Sequence, residues 1–273
     1  MFPQYDHEVG SSFVLWLDNY LLSQEAYTVK TGEYFQQANS IAGSFVYSAP
    51  SAQFVGDSDI TGAFVPSGVV VNGSYNERGV SGVKLDFKNG RVYSSIDNAF
   101  ITGQFTQKDF NIYLSNEQDD GLVFLDEAFN GKDIYNSITG SVPGNYIAPL
   151  GLVAFGNSEN KPFAIGGTDE TLLPFSVMLI SDSFYKLRGA CSILRDSAYK
   201  CFNRIDIQDE PYTKYGDIKD GFYRYSDLVS GLGYDRTLMI DRVRTFPIKK
   251  DLNQRRDFFV ALVEFDIKDV RQT

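Results

Sequence analysis

The stretch GVKLDFKNGRVYSS, residues 82–95, constrains the fold more than any other part of this chain. Strand-forming residues run to Phe87, Asn89-Gly90 follows, and Val92 and Tyr93 lead back out. An Asn-Gly pair suits the two-residue type I′ turn, whose backbone twist matches the strands it joins. Asn-Gly recurs at 72–73 and 130–131. From residue 26 to about 135 the chain is a succession of short segments rich in β-branched and aromatic residues: EYFQQ, SFVYS, GVVVNGSY, GVKLDF, RVYSS, FNIYLS and GLVFLDEAF. Gly, Asn, Asp, Ser or Pro separates most of them. The 22 Phe and 17 Tyr suit half-buried pleated surfaces. These features predict an antiparallel β-sandwich or barrel with hairpins.

Ahead of this region, residues 12–23 are expected to form a helix. Ser11 or Ser12 would cap it, and Phe13, Leu17, Tyr20 and Leu21 share one face. Val14, Leu15, Trp16 and Leu22 make it apolar nearly all round, so it packs into a core or against a partner subunit. Between 140 and 172 the density of Gly, Pro and Asn rises, which marks a domain boundary. The expected organisation is residues 1–150 as a helix plus a β-rich domain, and 151–273 as a smaller mixed α+β domain. In the latter, FSVMLIS reads as a strand. DSFYKLRGACSILRDSAYKCF reads as a helix capped by Asp182 or Ser183, with Phe184, Leu187, Cys191 and Leu194 on one face. Residues 210–235 read as a long loop with a short helix. TLMIDRVRTF and FFVALVEFDI read as two strands joined by the charged excursion PIKKDLNQRR. The fold class is therefore mainly β with some α. The similar strings IAGSF, ITGAF, ITGQF and ITGSV, at 41, 60, 101 and 138, are irregularly spaced and reflect strand-end chemistry rather than a repeat.

A net charge of −10 disfavours a dedicated nucleic-acid binder and an anionic membrane surface as partner. Cys191 and Cys201 are too few for a disulfide-stapled scaffold and are expected to be two buried free thiols. The N-terminus carries acidic residues where a signal peptide needs basic ones. In FVLWLDNYLL, from Phe13, the uncharged run stops after five residues at Asp18, against the ~20 residues that span a bilayer. Two longer uncharged stretches, 34–56 and 134–158, are full of Ser, Asn, Gly and Pro. A soluble protein without a cleaved signal is expected.

Catalytic equipment is sparse. The sole histidine, His7, sits in a tail-like position, so a His-dependent nucleophilic triad lacks its base. Gly56-Asp57-Ser58-Asp59 is similar to the nucleophile block of the SGNH hydrolases, but no His follows it, and a turn is the preferred reading. Ser183-x-x-Lys186 and Ser197-x-x-Lys200 both match the serine–lysine pattern of β-lactamases and penicillin-binding enzymes, which shows how cheap that pattern is. Lys30-Thr31-Gly32 precedes both serines, the reverse of the order in that family. Ser183 is better read as a helix cap. Residues 116–127 have a faint calcium-loop spacing between strand-like flanks, and a solvated turn is preferred there. With 35 Asp and Glu, spacing selects no glycosidase pair. No phosphate loop or dinucleotide fingerprint occurs. No catalytic residue, metal ligand or cofactor is assigned.

Two segments look like contact surfaces. Asp241–Asp257 is locally basic and could meet an acidic partner or DNA, although a solvated hairpin loop accounts for it as well. The long loop concentrates Tyr212, Tyr215, Phe222, Tyr223, Tyr225 and Tyr234, which could anchor an interface, stack on sugars or equally pin the loop onto the second domain.

GVVVNGSY followed by GVSGVKLDFKNGRVYSS, together with DRVRTFPIKKDLNQRRDFFVALVEFDIKDV, resembles structural proteins of tailed bacteriophages, the β-rich subunits of neck, tail or baseplate. The resemblance covers about half of the chain. It implies a ring-forming, non-enzymatic virion component, assembled in the host cytoplasm from copies of itself and other virion proteins, away from membranes. On that reading the contact residues are Trp16 and Tyr20 on the first helix, Tyr215, Phe222, Tyr223 and Tyr225 in the long loop, and Arg244, Lys249, Lys250, Arg255 and Arg256 in the last hairpin. DNA contact would be confined to 241–257. The alternative is a carbohydrate-binding β-sandwich module, of receptor-binding or fibre-linked type.

Overall fold

A computed structural model describes residues 5–41, 44–48, 53–80, 82–88, 90–114, 148–164, 168–212, 218–219, 221–248 and 258–272. Among these the chain is mainly β with three helices, and every strand pairing is antiparallel. The chain divides into two compact units. The first comprises 1–24, 112–209 and 229–273; the second comprises 25–111 and 210–228. Where it is described, the Gly- and Pro-rich stretch at 140–172 carries strands of the first unit. Such residues punctuate turns between strands as readily as they punctuate linkers.

The second unit holds a seven-stranded sheet: β1 (Tyr27–Ile41), β2 (Ser44–Ser48), β3 (Gly68–Val71), β4 (Ser74–Glu77), β5 (Lys84–Asp86), β6 (Arg91–Ser94) and β7 (Ile101–Lys108), in the order β4-β3-β7-β1-β2-β6-β5. β1 pairs with β7 from Tyr27 to Phe35 and with β2 from Gln36 to Ile41. Its register slips twice, around Gly32 (φ +70°) and between Gln37 and Asn39. Bulges of this kind bend a strand and raise its twist, so the sheet curls. Phe35, Phe54, Phe87 and Phe105 fill the concavity, with Phe54 and Phe105 centroids 4.8 Å apart. Tyr47 is fully buried with them, and its hydroxyl donates to the Ile96 carbonyl at 2.7 Å while accepting the Ala99 N–H at 2.9 Å.

The hairpin at 82–95 forms, but not with a two-residue turn. Asp86 pairs with Arg91, leaving residues 87–90 between the strands. Phe87 is drawn off the ladder because its side chain is fully buried in the core. The two-residue Asn-Gly turn occurs at 72–73, where Val71 pairs with Ser74 and Asn72 and Gly73 take φ +49° and +85°. Asn72 also exchanges two bonds with Phe100, N–H to carbonyl at 2.7 Å and Oδ1 from N–H at 2.8 Å. The third Asn-Gly, the segment GLVFLDEAF and the calcium-like spacing at 116–127 lie outside the described residues.

The first unit contains α1 (Tyr5–Ser23), β8 (Asn111–Leu114), β9 (Leu150–Phe155), β10 (Glu159–Ala164), β11 (Thr168–Ser181), α2 (Phe184–Arg195), β12 (Cys201–Asn203), β13 (Thr237–Pro247) and β14 (Phe259–Gln272). The short helix α3 (Tyr225–Val229) follows the long loop. The sheet order is β12-β13-β14-β11-β9-β8, with β10 beside β11. β11 and β14 pair along fourteen residues, from Thr168↔Gln272 to Ser181↔Phe259, and form its spine.

Four sequence expectations change here. The first helix begins at Tyr5, not residue 12, with Asp6 and Glu8 in its first turn, where the helix dipole favours acids. Ser12 is therefore interior and fully buried: its Oγ donates to the Glu8 carbonyl at 2.6 Å and accepts the Ile205 N–H at 2.8 Å. His7 belongs to this helix rather than to a tail. α2 stops at Arg195 instead of running to Phe202, although Ser183 does cap its start by accepting the Lys186 N–H. Cys201 opens the edge strand β12, where alternation turns it out and Phe202 in. Cys201 is exposed, and only Cys191 is a buried thiol.

Candidate interaction surface

The first unit's sheet has two faces of different chemistry. On one, Phe175 and Val177 of β11, Val263, Phe265 and Ile267 of β14, and Leu238 and Ile240 of β13 are all buried. α1 and α2 pack on this face. Phe13 of α1 sits 4.6 Å from Phe175 and 5.2 Å from Phe265, centroid to centroid. Trp16 stacks on Phe202 at 5.4 Å and on Tyr20 at 5.3 Å, and Lys200 lies over the Tyr20 ring.

Alternation along the same strands sends the remaining residues to the opposite face. On β13 these are Arg242, Arg244 and Phe246, continued by Ile248; on β14 they are Val260, Leu262, Glu264, Asp266 and Lys268. The register sets them in rows: Arg242↔Asp266, Arg244↔Glu264, Phe246↔Leu262. Arg242 donates Nε and Nη2 to Asp266 Oδ2 at 2.8 and 2.6 Å. Arg244 Nη2 lies 3.0 Å from Glu264 Oε2 and 3.6 Å from Asp266 Oδ2. Lys268 Nζ reaches Asp241 at 3.3 Å and Glu170 at 3.6 Å. The bond to Asp266 holds the Arg242 guanidinium above its ordinary range.

This second face is itself divided. Toward β9 it is closed: Leu150, Leu152, Met178, Ile180 and Val260 form a buried cluster with Tyr113. Toward β13 it is open: Phe246 is 45% exposed and Ile248 49%, beside the ladder of ion pairs. Exposed apolar residues beside charged groups make this the candidate contact surface.

The described nominated residues fall in both units. Trp16 is 6% exposed and spends its ring inside the first unit. Tyr20 is half-buried at the end of the aromatic stack. Tyr215, Lys249, Lys250, Arg255 and Arg256 lie outside the described residues. Phe222 is exposed, while Tyr223 is buried in the second unit with its ring 5.8 Å from Tyr212. Tyr225 is largely withdrawn from solvent, and burial, then the charge of Asp57, pushes its hydroxyl pKa up. Among the described nominated residues, Arg244 lies on the open face. Phe246, Ile248, Glu264 and Asp266 escaped sequence reasoning, whereas Arg242 belongs to the basic segment 241–257 that it marked. Their signal was the alternation R-V-R-T-F-P-I, which separates two faces once the strand is recognised.

The enzyme-like motifs hold structure. Asp57 Oδ1 accepts the N–H groups of Asp59 at 2.9 Å and Tyr225 at 3.3 Å, and Asp59 Oδ2 accepts the Ser226 N–H at 3.0 Å. The GDSD turn thereby clamps the start of α3 within the second unit. Ser197 donates Oγ–H to the Leu194 carbonyl at 2.6 Å and tucks in the end of α2.

A separate cleft of about 190 Å³ lies in the first unit, walled by His7 and Val9 of α1, Leu114, Phe155 and Pro174. Gly10 makes room for the Phe155 ring, which a Cβ there would overlap.

No protein-family model matches this chain, and no curated protein matches it.

Proposed function

We propose that this protein is a non-enzymatic structural subunit that works through protein–protein contacts, a neck, tail or baseplate component of a tailed-phage virion. The observation that carries the contact role is the open half of the first unit's sheet, where Phe246 and Ile248 stand in solvent beside ordered ion pairs. The virion assignment rests on the sequence resemblance. Partners are further copies of the chain and other virion proteins, met in the host cytoplasm. DNA is a poorer partner for the 241–257 segment, because Arg242 and Arg244 are already neutralised by Asp266 and Glu264. No described helix is long and apolar enough to cross a membrane.

Light scattering on the purified protein, with electron micrographs of the same fraction, tests the assembly role. Closed assemblies, or incorporation into particles when virion proteins are added, are expected. A monomer that joins no particle overturns the reading.

A second reading has its own observation. Tyr185, Tyr199 and Tyr234 are 87%, 78% and 98% exposed, and Tyr199 holds φ +66°, an uncommon conformation for so large a residue. Flat exposed rings suit stacking on sugars. Micromolar binding on a glycan array that Tyr199→Ala abolishes would favour a carbohydrate-binding module, and silence across the array would remove it.

A further inference from the structure

The open face is self-complementary, and its register shows how. Across β13 and β14 the cations Arg242 and Arg244 stand directly opposite the anions Asp266 and Glu264, the exposed Phe246 stands opposite Leu262, and Lys268 stands opposite Met239. Consider a two-fold axis lying over this face, parallel to the strands and above the line between them. Rotation about it exchanges left and right while keeping position along the strand. A second copy then lays its β13 over the first copy's β14. Its Arg242 falls over Asp266, its Arg244 over Glu264, and its Phe246 over Leu262, and the reciprocal contacts repeat on the other side of the axis. An isologous contact demands this self-complementarity.

We infer that the open half of this sheet face pairs with a second copy of the chain, face to face, about a two-fold axis running between β13 and β14. The inference rests on the assembly role proposed above and names the occupant of one surface. Charge complementarity selects this occupant. A uniformly acidic or basic partner would set like charges over one of the two rows, whereas a rotated copy sets unlike charges over both. The apolar strip supplies burial beside the ladder, because Phe246, Ile248 and Leu262 lie at the end where the ion pairs stop. The cations are solvated, with Arg242 and Arg244 side chains 60% and 44% exposed, while Glu264 is 33% and Asp266 11% exposed, so the pairs contribute to alignment and partner choice more than to affinity.

The test uses sedimentation velocity on the full chain and two charge-swapped variants. Arg242→Glu with Arg244→Glu makes the face acidic; Glu264→Lys with Asp266→Lys makes it basic. Wild type is expected to dimerise in the micromolar range. Each swapped variant alone should lose self-association roughly ten-fold or more, from like charges set face to face. An equimolar mixture should form a heterodimer that added salt weakens. Circular dichroism shows that each variant folds. Should either swap fail to fold, Phe246→Ser, an exposed position that leaves every ion pair intact, gives the same reading of the face through its own loss of dimer. A wild-type oligomer that Phe246→Ser and both swaps leave unchanged overturns this pairing and spares the assembly role. A wild-type monomer overturns the pairing too, and the assembly role is then decided by the particle-incorporation experiment.

Discussion

The two faces of the first unit's sheet are made from the same strands, and one residue of register separates them. Val263, Phe265 and Ile267 point one way and lie sealed beneath α1 and α2; Glu264, Asp266 and Lys268 point the other way and carry ion pairs. The closed face is chosen for volume and shape, since Phe13, Phe175 and Phe265 interlock ring against ring. The open face is chosen for pattern, since Arg242 and Arg244 of β13 face Asp266 and Glu264 of β14. Substitutions on the first should therefore move stability, and those on the second should move association and leave stability almost untouched.

The sharpest way to break this contrast is at Phe13. Truncation to Ala removes a fully buried ring between two sheet residues and should cost about 3–5 kcal/mol in urea unfolding. A loss below ~1 kcal/mol would mean that the closed face is not a packed core. Next comes Ser12→Ala, which deprives the buried Ile205 N–H of its acceptor; about 1–3 kcal/mol should be lost, although no apolar contact goes with it. On the open face, Phe246→Ser should change unfolding by no more than ~0.5 kcal/mol while association falls away. A double-mutant cycle between Arg244 and Glu264 should return a coupling of roughly 0.2–1 kcal/mol in the monomer, as for other solvated pairs. The smallest effect concerns reactivity and not stability. Cys201 should react with a thiol reagent in the native protein, whereas Cys191, whose thiol pKa burial raises, should react only on unfolding.

Local chemistry was the legible part of the sequence. The strand segments around Val46, Val70 and Val92 form where their composition placed them, the Ser183 cap holds, and the two-residue Asn-Gly turn exists, although at 72–73. Long-range demands changed the rest. Phe87 leaves the ladder because the core needs its ring. Ser12 serves a partner almost two hundred residues away, Ile205, which no local cap signal reveals. β1 changes partner midway, so the one strand takes part in two ladders. The proposed contact surface was half visible. Arg244 drew attention for its charge, but its neutralising partners on β14 emerge only from the register of a hairpin whose loop hid the alignment. Trp16 and Tyr223 were attractive as aromatic anchors, yet the core of each unit had already taken them.

Hydroxyl-radical footprinting of the intact protein at low and high concentration tests the open face most directly. The oxidation of Phe246 and Ile248 should fall as the protein associates, while that of the exposed Tyr185 and Tyr234 stays constant. Association that leaves Phe246 and Ile248 as reactive as before would contradict the assignment of this face as the contact surface.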